Sequence, residues 1–329
     1  MPSPNIYLAP FQGITGVTYR MLYSKYFQGI DKLFTPFFTC INSEAKLPAR
    51  KLAEFGNIFE NGVEVVPQIL SKESDEIIRF ARFCESLGYS ELNWNLGCPY
   101  PMVAKKKRGS GMLPFPEMVD EILEKVMAAT TIRFSVKCRL GYTSPAEIFK
   151  LIPIFNQHNI AELSIHARIG KQLYSGTTDL FAFQNAIPLI HVPLVYNGDI
   201  FSLNDYERLK IQFPTINTWM IGRGILSDPF LPATIKGLPI VANRQAHIRR
   251  FIDDLYFAYR RHMSDRLVAL GVLKEYWHYL AESFDDPHKV FRKLKKVNSF
   301  DEYEDAVAFV FGEFEWEGSE KKLAGNIPD

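Results

Sequence analysis

The chain has 329 residues, of which 47% are hydrophobic and 23% are charged, and its net charge is +1. This composition is ordinary for a globular protein with room for one large domain and a smaller one. No run approaches the ~18 apolar residues of a membrane span, and the first residues lack the basic and apolar regions of a signal peptide. Widely spaced cysteines without metal-finger spacing favour free thiols, no metal site and a cytoplasmic protein (Cys40, Cys84, Cys98 and Cys138).

Charge is distributed unevenly near the carboxyl terminus. Residues 236–296 contain 13 Lys and Arg against 7 Asp and Glu, a net of +6, whereas residues 297–329 contain 2 against 9, a net of −7. A basic segment followed by an acidic tail is compatible with a polyanion-binding face and a solvated end. On charge alone, a surface helix pair with incidental charge is equally compatible.

Eight short apolar runs, most of them followed by a segment of helical period, dominate the first 235 residues. They predict strands at residues 6–9, 33–38, 63–69, 90–95, 132–137, 161–166, 192–197 and 218–221. Helices are predicted at residues 73–87, 145–156 and 203–213, while segment 42–61, interrupted by Pro48, is left unassigned.

Eight strands alternating with helices over ~220 residues predict an α/β protein of the (β/α)8 TIM-barrel type. The competing open, doubly wound sheet usually carries a Gly-x-Gly-x-x-Gly turn after its first strand, which is missing here. The alternation stops at Gly237, and further helices are predicted at residues 246–262, 265–284 and 286–296. We therefore predict a barrel domain over residues 1–235 and a small all-helical domain over residues 236–329 with an acidic tail.

Polar residues stand at the ends of most predicted strands, where barrel enzymes hold their active sites. In chain order they are Pro10, Phe11 and Gln12; Gln68; Asn95 and Cys98; Lys137; His166 and Arg168; Asn197, Gly198 and Asp199; and Gly222, Arg223 and Gly224. One such residue is readily explained as a turn former or a satisfied core group. Several such positions in register around one rim predict a shared site.

The last two strand ends predict a phosphate site, because barrels commonly bind phosphate after strands seven and eight. Glycines there let the backbone approach an anion, and Arg223 presents a fork that matches phosphate oxygens. A fixed cation at Lys137 would stabilise negative charge on a phosphate-anchored ring, and reduced flavin mononucleotide (FMN) is one such cofactor. Taken alone, Lys137 is more simply a strand-end lysine that reaches solvent.

Cys98 follows a predicted strand and precedes a basic loop, Lys105-Lys106-Lys107-Arg108, that ends in Gly109-Ser110-Gly111. A thiol beside a loop that attracts polyanions suggests chemistry on a nucleic acid. We interpret the glycines as making this loop flexible.

The chain resembles the tRNA-dihydrouridine synthases, a family of FMN-dependent barrels that reduce a uridine in tRNA. The matching segments are LAPFQGIT (8–15), NWNLGCP (93–99), VKCRLG (136–141), IHAR (165–168), NGDI (197–200), MIGRG (220–224) and, more loosely, LKEYWHYL (273–280). Two positions depart from the family pattern: Phe11 replaces a usual Met, and Pro36-Phe37-Phe38 replaces a strand end that usually carries Glu.

The resemblance implies roles for the strand-end residues. Cys98 matches the catalytic acid, and Asn95 matches a residue that helps to seat the uracil. The positions matching FMN contacts are Pro10, Phe11, Gln12, Gln68, Lys137, His166, Asn197, Gly198, Asp199, Gly222 and Arg223. The candidates for RNA phosphate contacts are Lys105, Lys106, Arg108, Arg168 and the basic helices, although each is also explained as a solvated surface charge.

The expected reaction adds a hydride from reduced FMN to C6 of the uracil and a proton from Cys98 to C5. A thiol with a pKa near ~8.5 is mostly protonated at neutral pH and needs no partner base to donate. The resemblance also implies NADPH as the reductant and tRNA as the partner, and nothing in the sequence requires more than a monomer. Three alternatives stay open: another structured RNA as substrate, a small pyrimidine-like substrate, and a non-catalytic RNA-binding barrel.

Overall fold

The computed structural model describes residues 3–39, 49–263 and 265–319. Cys40, residues 42–48 of the unassigned segment 42–61 and residues 320–329 of the acidic tail lie outside the described residues.

Within the described residues, ten strands form one curled sheet in which nine strands run parallel and one runs antiparallel. They are β1 (Asn5–Leu8), β2 (Lys32–Phe34), β3 (Phe59–Glu60), β4 (Val63–Val66), β5 (Gln68–Ile69), β6 (Glu91–Leu96), β7 (Arg133–Gly141), β8 (Leu163–Ile169), β9 (Leu194–Asn197) and β10 (Thr218–Ile221). The short antiparallel β3 pairs only with β4, at the outer edge of the sheet order. An observed strand overlaps each of the eight predicted strand positions.

The barrel closes through β4 and β5, which are two halves of one predicted strand separated by Pro67. β4 pairs with β2 and β5 pairs with β6, while Phe38, beyond the end of β2, forms a parallel bridge with Ile69 of β5. Proline has no N–H to donate to a ladder, which ends β4 at this point. The backbone N–H of Gln68 instead donates to the Thr35 hydroxyl (3.0 Å), and the carbonyl of Pro67 accepts from Asn93 N (2.9 Å).

Helices cover the outside of this barrel and continue beyond it. They are α1 (Val17–Tyr26), α2 (Ala49–Ala53), α3 (Ser74–Ser86), α4 (Pro101–Ala104), α5 (Pro116–Ala129), α6 (Ile148–Gln157), α7 (Leu180–Ala186), α8 (Leu203–Gln212), α9 (Arg223–Ser227), α10 (Leu231–Lys236), α11 (Arg244–His262), α12 (Arg266–Leu280), α13 (Pro287–Leu294) and α14 (Phe300–Glu313). The three helices predicted within the barrel correspond to α3, α6 with a preceding 3-10 turn, and α8.

Alternation along the strands separates two hydrophobic cores. Residues such as Leu92, Trp94 and Val136 belong to the large core shared with the helices. Their neighbours in sequence face the barrel interior, where a small apolar cluster includes Tyr7 and Val195. Because side chains alternate with a period of two, the polar residues at the strand ends share the interior face.

The helices after residue 236 pack on one side of the barrel through aromatic side chains. On α1, Tyr19 contacts Phe251 of α11 at 5.9 Å and Tyr276 of α12 at 5.3 Å between ring centroids. Phe27 lies 5.0 Å from Phe251, and the carbonyl oxygen of Tyr26 is 2.8 Å from His247 Nε2. This contact fixes α12 across the barrel mouth.

The expectation that the acidic end is simply a solvated tail is wrong for residues 300–313, which form α14. The acidic residues occupy one face of α14, while Tyr303, Val307 and Val310 are buried against the preceding helices. Tyr303 stacks on Tyr256 at 5.0 Å and accepts a 2.9 Å hydrogen bond from Trp277 Nε1.

The described residues contain neither a membrane-spanning helix nor a cluster of metal ligands. None of their helices combines the length and apolar character needed to cross a bilayer. Within the same residues, no group of three or more His, Cys, Asp or Glu side chains is placed to hold a metal ion.

The amino-terminal end of the barrel interior contains a buried charge cluster that predicts a pH dependence of stability. Lys32 Nζ lies 3.0 Å from Glu91 and 4.0 Å from Glu162, and Glu162 also accepts a 2.9 Å bond from the Tyr7 hydroxyl. Burial raises the pKa of Glu162 from 4.5 to about 7. A raised pKa in the folded state means that the stability Glu162 contributes is complete below pH 4.5 and is lost as the pH rises through 7.

Replacing Glu162 with glutamine removes this loss. We expect Glu162→Gln to gain on the order of 2–3 kcal/mol in the free energy of unfolding, relative to wild type, between pH 5 and pH 8. Urea denaturation of both proteins across this range measures the difference. Parallel stability curves would contradict the assignment.

Candidate active site

A cleft of about 1090 Å³, counted with its open mouth, lies at the carboxyl ends of the barrel strands. It brings together the predicted residues Pro10, Phe11, Gln12, Asn95, Cys98, Lys137, His166, Asn197, Gly198, Asp199, Gly222, Arg223 and Gly224. The predicted shared rim is therefore present, and Lys137 lines the cleft instead of extending to solvent.

Cys98 is buried to 7% exposure and lies at the end of the turn that follows β6. Burial raises the pKa of its thiol above 9.0, with Arg139 and Lys137 opposing that shift only in part. The thiol is therefore protonated at neutral pH. Cys84 and Cys138 are also free thiols, but both are fully buried in the core outside the barrel interior.

Lys137, on β7, reaches across the cleft to β9. Its Nζ donates a 3.0 Å hydrogen bond to Asn197 Oδ1, while Asn197 Nδ2 donates to the carbonyl of Met220 at 2.7 Å. Burial, and next the positive charge of Arg139, lower the pKa of Lys137 to about 8. Lys137 is still mainly a cation at neutral pH, and its position is fixed by the strand pairing.

His166 is neutral because of its surroundings. Burial lowers its pKa well below 6.5, and the cations Arg139, Lys137, Arg168 and Arg223 lower it further. Its Nε2 lies 3.3 Å from Arg168 Nη1. Since a guanidinium can only donate, Nε2 is the acceptor and the ring proton is on Nδ1. His166 can therefore serve as a neutral hydrogen-bonding group in the cleft.

Asp199 forms ion pairs with two arginines at the end of the cleft where the sequence predicts a phosphate site. Arg168 contacts it through Nη1 (2.8 Å) and Nη2 (2.6 Å), and Arg223 contacts it through Nη2 (3.0 Å). One carboxylate facing two guanidiniums leaves a net positive charge at this end. The Asp199 backbone has φ of +25° and follows Gly198, at φ +142°, which makes the sharp turn at the end of β9.

The prediction that Arg168 contacts RNA does not fit its position. Its side chain is 2% exposed, and it donates to Asp199 and to the carbonyls of Ser175 and Gly176. Arg168 is thus committed to holding Asp199 and the loop after β8. Arg223 is the more available guanidinium, at 19% exposure.

Gly222, in the cleft wall, leaves space for the ring of Phe11. A Cβ at this position would lie 2.8 Å from the ring of Phe11, so a larger residue would displace the turn after β1. The aromatic ring of Phe11 in turn contacts Tyr279 at 5.8 Å. Phe11 therefore fills the space between the barrel and α12.

Gln68 lies one layer below the cleft and is not among its lining residues. It is completely buried, and its amide accepts from Asn95 Nδ2 and donates to Asn93 Oδ1, both at 2.8 Å. Asn95, above it, uses its Oδ1 to accept from the backbone N–H groups of Gly97 (3.0 Å) and Cys98 (2.9 Å). The FMN contact assigned to Gln68 stays a prediction.

Several cleft residues were not predicted from the sequence. Arg139 extends β7 past its predicted end and donates to the carbonyls of Gly97 (3.0 Å) and Ile169 (2.9 Å). Tyr174 lies between Arg139 and Arg223, whose guanidiniums are 5.4 and 5.3 Å from its ring centroid. Alternation with Lys137 was the available signal for Arg139, whereas Tyr174 stands in a loop without any periodic pattern.

The carboxyl-terminal helices also contribute to the site. Glu275 and Tyr279, one turn apart on α12, line the mouth of the cleft. Burial raises the pKa of Glu275, with His278 opposing. The mouth is therefore shared between the barrel and α12.

The basic loop lies on the same rim. Lys105 and Lys106 are exposed, as expected for phosphate contacts, and Arg108 is half-buried. Tyr100, at the start of this segment, lines the cleft and is 53% exposed.

Fold and site together define a TIM-barrel protein with a cationic cleft and a protonated thiol at its rim. The barrel is similar to two solved structures, morphinone reductase (TM-score 0.52, 11% identity, 74% of this chain and 88% of that one) and the old yellow enzyme homologue from Zymomonas mobilis (TM-score 0.50, 13% identity, 72% and 90%). At these identities the likeness concerns the fold alone.

Sequence comparison identifies the family. The model of the dihydrouridine synthase family matches residues 7–300, and the chain belongs to that family. It is 25% identical over 322 residues to a tRNA-dihydrouridine(16) synthase of Neisseria meningitidis serogroup B, covering 95% of each chain. It is also 27% identical over 234 residues to tRNA-dihydrouridine synthase B of Pasteurella multocida, covering 71% of this chain and 69% of the relative.

The environment of Cys98 predicts slow alkylation with a high pH midpoint. Because burial raises the pKa of this thiol, the midpoint for reaction with iodoacetamide should lie above 9.0. Cys84 and Cys138, fully buried, should react only when the protein unfolds. Mass spectrometry of the modified peptides across pH 6–11 measures each site, and a Cys98 midpoint below pH 8 would contradict the assignment.

Proposed function

We propose that this protein is a tRNA-dihydrouridine synthase that uses FMN and takes Cys98 as its acid. The observation that carries the proposal is the placement of a protonated thiol, a fixed lysine cation and an arginine-flanked turn in one cleft. The membership of the dihydrouridine synthase family supports it.

The residues of the cleft fit FMN. The turns after β9 and β10, with Arg223 and the net positive charge around Asp199, suit a phosphate. Lys137 and neutral His166 are placed to face a planar ring and to stabilise negative charge on it. Pro10, Phe11 and Gln12 close the opposite wall. Bound FMN, when reduced, would supply the hydride for C6 of the uracil.

Cys98 completes the reduction by giving its proton to C5. The S–H bond breaks as the C–H bond forms, which leaves a thiolate. Arg139 and Lys137 are the two cations that favour the charged form of this sulfur, so they stabilise the thiolate until solvent returns the proton. The net change is a two-electron, two-proton reduction of the C5–C6 double bond.

The substrate proposed is a uridine in tRNA, extruded from its stack into the cleft. Lys105, Lys106, Arg108 and the basic helices after residue 236 are the candidates for holding RNA phosphates. NADPH is proposed as the reductant that restores the flavin. Since a relative that matches over 95% of both chains is named for position 16, this position is the first to examine.

The cleft mouth argues against the alternative of a flavin oxidoreductase that acts on a small pyrimidine-like substrate. The contribution of Glu275 and Tyr279 from α12 to the cleft mouth favours a large substrate that touches both parts of the protein. Equal rates on free uridine and on tRNA would favour the small substrate, and modification of a different folded RNA would redirect the proposal to that RNA.

Removing the thiol tests the proposed acid. We expect Cys98→Ala to retain bound FMN but to lose dihydrouridine formation by about 100-fold or more, because general acid catalysis contributes ~10²–10⁴. Mass spectrometry of tRNA nucleosides after single-turnover reaction measures the product. Cys84→Ala, which removes a buried thiol on α3, is the matched control and should remain active. An active Cys98→Ala enzyme would refute the role of Cys98.

Removing the cleft guanidinium tests the phosphate site. A charge-assisted hydrogen bond is worth ~1.5–3 kcal/mol, so Arg223→Ala should weaken FMN binding by roughly 10- to 100-fold. Flavin fluorescence titration of the apoprotein measures the affinity. Arg208→Ala, which removes an exposed arginine paired with Asp205 on α8, should leave it unchanged. Equal affinities of all three proteins would place the phosphate elsewhere.

A further inference from the structure

The main chain of Cys98 is held from two sides. Its N–H donates to Asn95 Oδ1 at 2.9 Å. Its carbonyl accepts two hydrogen bonds from Ser110, one from the backbone N–H and one from the hydroxyl, both at 3.0 Å. Ser110 lies twelve positions after Cys98 in sequence, so these hydrogen bonds close the intervening basic loop at its base.

Gly109 packs directly behind Cys98. It has φ of +55°, and a Cβ added there would lie 2.6 Å from the Cys98 carbonyl oxygen and 2.9 Å from the Cys98 Cβ. Such distances leave no room for any side chain. The expectation that the glycines make the loop flexible is therefore wrong at this position, where glycine permits close packing and a left-handed backbone.

Ser110 in turn packs against Gly170. It is completely buried, and Gly170, which follows β8, lies so close that a Cβ on Gly170 would be 2.5 Å from the Ser110 hydroxyl oxygen. The strand ends β6 and β8 are thus connected through Ser110. A displacement of Gly109 or Ser110 has to be transmitted to Cys98, because no empty space separates them.

The side chain of Asn95, which accepts from the Cys98 N–H, is held in the barrel interior by a series of hydrogen bonds. The series runs from Asn95 Nδ2 to Gln68, from Gln68 to Asn93 and from Asn93 to Ser135, and it ends on Glu91, with distances of 2.7–2.9 Å. Every amide in this series is buried. Asn95 can therefore present its oxygen to the Cys98 N–H in only one orientation.

We propose that Gly109 and Ser110 are positioning residues for the Cys98 thiol. Through the close packing of Gly109 and the two hydrogen bonds of Ser110, here called the seat, they hold the Cys98 main chain and so fix the position of its sulfur in the cleft. This inference rests on the proposed function for its catalytic consequence. Proton transfer to C5 depends steeply on placement, and a shift of 1 Å can cost ~100-fold in rate. Both residues are buried, and neither is among the residues that line the cleft.

The test compares three variants. Gly109→Ala introduces the Cβ that collides with Cys98, and Ser110→Ala removes one hydrogen bond to its carbonyl. Gly237→Ala is the control, because Gly237 has a similar φ of +64° but open space where its Cβ would be. Each variant is measured in three ways: single-turnover dihydrouridine formation with pre-reduced FMN enzyme, tRNA affinity, and the rate of Cys98 alkylation by iodoacetamide at pH 8.

We expect Gly109→Ala to reduce the single-turnover rate by about 100-fold and Ser110→Ala by about 3- to 10-fold, with tRNA affinity and flavin content unchanged. Cys98 should be alkylated several-fold faster in both variants, because it moves out of its seat toward the cleft. Gly237→Ala should match wild type in all three measurements. Ser110→Ala keeps the test decisive if Gly109→Ala does not fold.

The alkylation rate does not depend on the reaction catalysed. If wild type makes no dihydrouridine, the proposed function fails, yet faster alkylation in Gly109→Ala and Ser110→Ala alone would still support the seat. Alkylation and turnover that change no more than in Gly237→Ala would overturn it, whatever the activity of the wild type.

Discussion

Closure of the parallel barrel is the constraint on which the site depends. On either side of Pro67, one predicted strand pairs with β2 through β4 and with β6 through β5, which closes the parallel run of strands. All strand carboxyl ends then meet at one rim, and alternation along each strand directs every second side chain inward. Without this closure, Asn95, Lys137 and Asn197 would be spread along an open sheet edge.

The rim carries a net positive charge because few acidic side chains pair with its lysine and arginines. Lys137, Arg139 and Arg223 line the cleft, Arg168 is buried against Asp199, and Asp199 neutralises only part of their charge. The same field has different effects on different groups. Together with burial, which is the larger cause, it keeps His166 neutral, and it makes the region attractive to a phosphate, whereas burial keeps the Cys98 thiol protonated despite the cations. A proton donor, an anion site and a neutral histidine can therefore coexist within one cleft.

Most of the barrel and much of the site could be predicted from the sequence, because strand periodicity and strand-end polarity are local signals. The residues that sequence reasoning misplaced or missed depend on contacts distant in the chain. Arg168 was expected at the surface and is buried by its pairing with Asp199, thirty-one residues later. Tyr174 and Glu275 join the cleft through a loop and a distant helix. Segment 300–313 has the charge of a solvated tail, yet its apolar side chains at helical spacing, Tyr303 among them, bury it as α14.

The most direct test of the central claim is a crystal structure of the protein with FMN bound. We predict that the phosphate contacts Arg223 and the turn after β9, and that the ring lies beside Lys137. An open gap wide enough for one pyrimidine should separate this ring from the sulfur of Cys98. A phosphate bound away from Arg223, or a ring in contact with the Cys98 sulfur, would contradict the account.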